Sequence, residues 1–318
     1  MIKPPWRSPD GQTNATGLQA NYADAFHAIG EIDALGHRLL TRMAADIKIE
    51  RVDELVGVAL MRRLVTQFVG IRHLFEASAV EPAKLGVRAQ FEGLLAVRYL
   101  MFGGRRQVDF HSAIDARRRE GRARYFYVAA ERRDIYMRQV LLDYGYRFER
   151  RRAQRRDLKR EIAAGIARLD KAFAPQQRAF GQLRCLAKKK SERYYHDPRT
   201  WFSFGFAKAK VRSIRALAEK LGYEWEYDVL YAALSGLTHP SGIGHDTKLE
   251  GKKLNVFHPY MAEAFPLLCF WSSWWQLYMC MWMAKSYSPA SVPDVQDITW
   301  KVRVALNSLD PQLPDGFM

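Results

Sequence analysis

Residues 264–284 read AFPLLCFWSSWWQLYMCMWMA, 21 positions without one charge. A helix over this stretch has no polar side, so every side of it must be covered. The cover is other helices, a second copy of the chain, or lipid. The length matches the ~20 residues that a membrane span needs. The content favours a protein neighbour. Two serines, a glutamine and a proline lie inside the stretch, and its tryptophans sit mid-segment, whereas membrane tryptophans gather at the two interfaces. The expectation is the central helix of a bundle. A dimer interface and a membrane-associated chain are the alternatives.

The rest of the chain offers helices to surround it. Apolar residues recur at a period near 3.6 and strand alternation is nearly absent. Helices are predicted over 18–46, 52–79, 81–102, 105–143, 148–173, 176–190, 206–221, 224–238, 260–286 and 294–307. Pro82 suits a first helical turn, and Gly103-Gly104 supplies a stop. One short extended piece is expected near 254–257. The fold class is all-α: one domain over 18–318, with 105–175 a basic helical insertion. Residues 1–17 read as a flexible arm without the apolar core of a secretory leader.

Charge points to a partner. Fifty Lys+Arg against 34 Asp+Glu give a formal net charge of +16. Residues 105–160 hold 18 Lys+Arg and 8 Asp+Glu, a net of +10, so most of the excess lies in this one region. Arginine predominates there, which suits bidentate phosphate contacts. Arg117, Arg118, Arg119, Arg150, Arg151, Arg152, Arg155 and Arg156 are the candidate nucleic-acid ligands, with solvated helix faces as the plainer reading. Beyond them, KKKSERYYHDPRTWFSFGFAKAKVR (188–212) interleaves basic and aromatic residues. That is the chemistry of single-strand binding, although core packing is the commoner use of such rings. RNA is the favoured partner. Cys185, Cys269 and Cys280 form no CxxC pair and suit a reducing, cytoplasmic setting. Zinc and phosphate-loop motifs are absent, so no metal or cofactor is expected.

Two polar rows interrupt apolar helices. Tyr231, Ser235 and His239 follow one another at four-residue spacing, beside Leu230, Leu234 and Leu237. Pro240 ends that helix at His239, and a helix C-terminus favours the imidazolium, as an acid or an anion contact requires. On the helix over 81–102, Arg88 and Glu92 share a side with Leu85, Leu95 and Tyr99. A charged pair there is costly unless it is paired and hydrogen-bonded. It reads either as an internal bridge that orients helices or as part of a pocket.

RAQFEGLLAVRYL followed by YAALSGLTHPS resembles a family of uncharacterised bacterial helical proteins with an Arg-x-x-x-Glu helix and a Ser-x-x-x-His-Pro-Ser helix end. Such proteins look HEPN-like. The resemblance implies a helical bundle, often dimeric, of the kind found in toxin–antitoxin and phage-defence systems. It marks Arg88, Glu92, Ser235, His239 and Ser241 as site candidates. With Tyr231 they form the expected pocket, in which His239 would act as acid–base, Arg88 would stabilise a phosphate and Glu92 would orient one of them. HEPN ribonucleases carry Arg-x4-6-His. The match here is RQVDFH, Arg106 to His111, a weaker candidate, because so many arginines produce such a spacing by chance and because it lies before the C-terminal helices. LSGLTHPS has no arginine at that distance from His239, a departure that speaks against metal-independent ribonuclease activity. The functional expectation is therefore an RNA-binding protein, with metal-independent ribonuclease activity as its catalytic form. A homodimer is expected. The alternatives are a non-catalytic sensor or partner-binding subunit serving a protein of the same locus, and a membrane-associated effector.

Overall fold

The computed structural model describes residues 15–47, 50–145, 156–157, 159–161, 163–165, 167, 202, 211, 213–231, 234, 247–250, 253–256 and 264–309. They are overwhelmingly helical. In chain order the elements are α1 (Ala15–Asn21), α2 (Ala23–Asp46), α3 (Val52–Glu76), α4 (Val80–Phe102), α5 (Ala113–Gly145), α6 (Ile214–Leu221) and α7 (Glu224–Glu226). α7 runs into a π turn over Tyr227–Tyr231. A short antiparallel hairpin follows, β1 (Thr247–Glu250) and β2 (Lys253–Val256). The chain then forms α8 (Phe265–Tyr287) and α9 (Val292–Asn307). The chain divides into two compact units, one of residues 1–116 with 218–318 and the other of 117–217.

In the first unit α8 is the centre. It packs against α2, α3, α4 and α9. Trp271, Trp274 and Trp275 retain only 4%, 7% and 1% of their exposure. No helix among the described residues is long and apolar enough to cross a membrane. Ser272 and Gln276 of the stretch are met from within the bundle. Gln90 of α4 donates from Nε2 to the Ser272 carbonyl at 3.0 Å and to Gln276 Oε1 at 3.2 Å, and Ser272 Oγ donates to the Cys269 carbonyl at 3.2 Å. Buried amides and hydroxyls need such partners.

α3 and α4 run antiparallel in close contact. A Cβ on Gly86 would lie 2.6 Å from Ile71 Cγ1, and one on Gly93 would lie 2.6 Å from Leu64 Cδ2. The seven-residue spacing of each pair keeps both contacts on one seam. Gly103 (φ 59°) ends α4 in the left-handed region, as a terminal glycine favours.

Two expectations are corrected. The helix expected from Arg105 begins at Ala113. Arg105 Nη2 donates to Asp115 Oδ1 at 2.7 Å, the Asp109 N–H donates to Asp115 Oδ2 at 3.0 Å, and Ser112 Oγ accepts the Ile114 N–H at 3.2 Å. These side-chain bonds hold 105–112 as a loop and cap the helix. The helix expected over 224–238 opens as α7 and widens into the π turn, whose i→i+5 bonding spaces residues differently from the assumed 3.6 period. The helices expected at 148–173 and 206–221 fall partly, and that at 176–190 wholly, outside the described residues.

Candidate functional site

α4 is apolar on most sides. Phe91, Leu94, Leu95, Val97 and Tyr99 are all buried. Arg88 and Glu92 stand one turn apart at the edge of that surface, both half-buried. The π turn lies against α4 and delivers Tyr231, 5% exposed, between them. Arg88 Nη2 donates to Tyr231 Oη at 3.1 Å, and Tyr231 Oη donates to Glu92 Oε1 at 2.8 Å. The guanidinium carbon also lies 4.8 Å from the Tyr231 ring centroid, within cation–π range. Cation, phenol and carboxylate thus form one chain across two segments.

Aromatic rings fix that phenol. Tyr227 stacks on Tyr231 with centroids 4.9 Å apart, and Phe91 lies at 5.6 Å. Phe91 continues to Trp275 at 5.2 Å, Trp275 to Trp271 at 5.8 Å, and Trp271 to Trp225 at 5.7 Å. The site is therefore braced by α8. Only the pairing of distant helices brings Phe91 and Trp275 to the phenol, so no local spacing marks them as its supports.

Burial is the largest influence on the Tyr231 phenol and pushes it above the usual tyrosine range. The Arg88 hydrogen bond opposes this, and the Glu92 hydrogen bond and charge add to it. The phenol stays protonated at neutral pH, with its proton held by Glu92. It is a bridge, not a nucleophile.

The other candidates fall as follows. Ser235, His239 and Ser241 lie outside the described residues, as do Arg150, Arg151, Arg152 and Arg155. Arg117, Arg118 and Arg156 are exposed. Arg119 is 3% exposed, so it does not present its guanidinium to a polyanion as the sequence expectation had it. Leu85, expected on the buried side of α4, is 48% exposed. Arg106 and His111 are exposed on the loop between α4 and α5, not in the α4–π-turn cluster. Of the basic–aromatic stretch, Phe202 is described and is buried. Among the described residues no group of three His, Cys, Asp or Glu side chains is placed to hold a metal ion.

A family model, described as a family of unknown function (DUF5677), matches residues 54–253. No curated protein and no solved structure matches the chain. The match covers more than half of the chain and spans both polar rows, so the chain belongs to that family.

Proposed function

From membership of a family without an assigned activity, we propose that this is a HEPN-like protein that binds single-stranded RNA, working in a defence or toxin–antitoxin type system. The observation that carries the reading is the arginine excess of 105–160, with Arg117, Arg118 and Arg156 standing exposed. Such a surface attracts a phosphate backbone and releases its counterions. The helical build and the two motifs support the HEPN-like assignment. In the catalytic form of the reading, His239 transfers the proton and Arg88 stabilises the phosphate, a division that phosphodiester cleavage needs without a metal. A homodimer completes the reading.

The bridge at Tyr231 favours a second form. Glu92 and Arg88 are both spent on the phenol, and that use serves the joining of α4 to the π turn. On this ground a non-catalytic sensor or partner-binding subunit is the second reading. Incubation with labelled single-stranded RNA in EDTA, across a salt series, separates the two. Binding with cleavage that His239→Ala abolishes supports the ribonuclease. Binding with no cleavage supports the subunit. No binding at low salt ends the RNA reading.

A further inference from the structure

A second feature lies where the loop before α5 meets the end of α8 and the start of α9. A groove of about 540 Å3 counts Asp109, Phe110, His111, Lys285, Val292 and Pro293 among the residues that line it. That volume suits a small ligand. Its walls are largely apolar. Its cation is Lys285, half-buried, with Nζ 5.9 Å from the Phe110 ring centroid. Among the described residues no carboxylate lies within ion-pair distance of Lys285. The lining Asp109 turns one oxygen to its own loop: its Oδ1 accepts the His111 backbone N–H at 2.9 Å.

Phe110, one wall of the groove, begins a run of ring contacts that leads into the bundle. Phe110 stands edge-on to Phe102 at 5.7 Å, and Phe102 edge-on to Trp282 at 5.3 Å. The guanidinium carbon of Arg98 lies 3.8 Å from the Phe102 centroid and 5.9 Å from that of Trp282. Arg98 likewise has no carboxylate partner among the described residues. Burial holds its pKa below the usual arginine value, the mark of a cation removed from water without a full counter-charge. An anion bound here would offset that cost.

Cations alternating with aromatic surfaces hold single strands: the rings stack bases and the cations take phosphates. We propose that the groove holds one nucleotide of a single-stranded RNA, with its base against Phe110 and the Val292–Pro293 wall and its phosphate on Lys285. Arg98 is the second cation on the same aromatic run. The inference rests on the RNA-binding reading and adds to it a defined contact outside the arginine-rich stretch.

The test uses the full chain and a fluorescein-labelled oligouridylate, followed by anisotropy across a salt series. Lys285→Ala should weaken binding about tenfold and lower the log–log salt slope by about 0.7. Lys285→Arg should restore both. In parallel, 4-thiouridine RNA crosslinked to the wild-type protein should yield adducts on Phe110 or its loop neighbours, a readout that does not depend on the variants folding. Wild-type binding with Lys285→Ala unchanged, or crosslinks confined to residues outside the groove, overturns the inference and leaves the RNA reading standing. Absence of RNA binding by the wild type overturns both.

Discussion

At the scale of single residues, Tyr231 carries more than its place in the sequence suggests. One hydroxyl accepts from Arg88 and donates to Glu92, so removing it leaves two half-buried charged groups without their common partner. Tyr231→Phe should destabilise the protein by about 1–3 kcal/mol, read as a lower urea midpoint at unchanged m-value. Glu92→Gln should cost less, since the amide oxygen still accepts from the phenol. Equal costs would show that the chain does not run through the hydroxyl. The raised phenol pKa adds a pH signature. The folded state keeps the proton after the unfolded chain begins to lose it near the ordinary value of about 10. The stabilisation is therefore full below pH ~10 and is lost as pH rises through the folded-state pKa. Tyr231→Phe should flatten that alkaline loss, in melting temperatures measured from pH 8 to 11.

At the scale of elements, α8 organises the first unit because almost every position on it is covered. Burial pushes the thiols of Cys269 and Cys280 up to about 12, and at Cys280 a hydrogen bond from Gln276 only partly opposes it. In a Cys185→Ser background both thiols should resist an aromatic disulfide reagent at pH 8, and react only at the rate at which α8 is exposed. Fast stoichiometric reaction would mean that α8 is not the closed core described above. Close approach matters as much as burial. A Cβ on Gly57 of α3 would sit 2.7 Å from the Tyr287 ring, at the end of α8. Alanine in a helix interior normally stabilises by about 0.5–1 kcal/mol relative to glycine. Here the clash outweighs that gain, and Gly57→Ala should lower stability by about 1–3 kcal/mol, visible as a drop in the thermal midpoint.

At the scale of the whole molecule, the +16 charge makes salt the natural probe of the RNA reading. Each phosphate contact on a single strand contributes a slope of about 0.7. Reversing Arg117 should therefore lower the slope by about 0.7 while the thermal midpoint holds, because it is exposed. Arg119→Glu should behave differently. Its side chain is buried, so reversal places an uncompensated charge inside and unfolds the protein. A variant of Arg119 that folds normally and loses RNA affinity would overturn that division.

What the sequence determined by itself is what local chemistry decides. Periodicity marked the helices, Gly103 marked the end of α4, and a charge-free stretch of 21 residues had to be covered on every side. Each follows from residues close together in the chain. The same reasoning failed where side chains overrode the local pattern, as Asp115 and Ser112 do in holding 105–112 as a loop. The candidate site was half legible. Polar residues on apolar helices singled out Arg88, Glu92 and Tyr231, but not that the phenol would stand between the other two. That was decided by tertiary structure alone. The partners lie 143 and 139 positions apart, and a π turn, not an α-helical one, aims the phenol. No spacing rule reaches across such a distance, because the contact is made only when α8 draws α4 and the π turn onto one aromatic core.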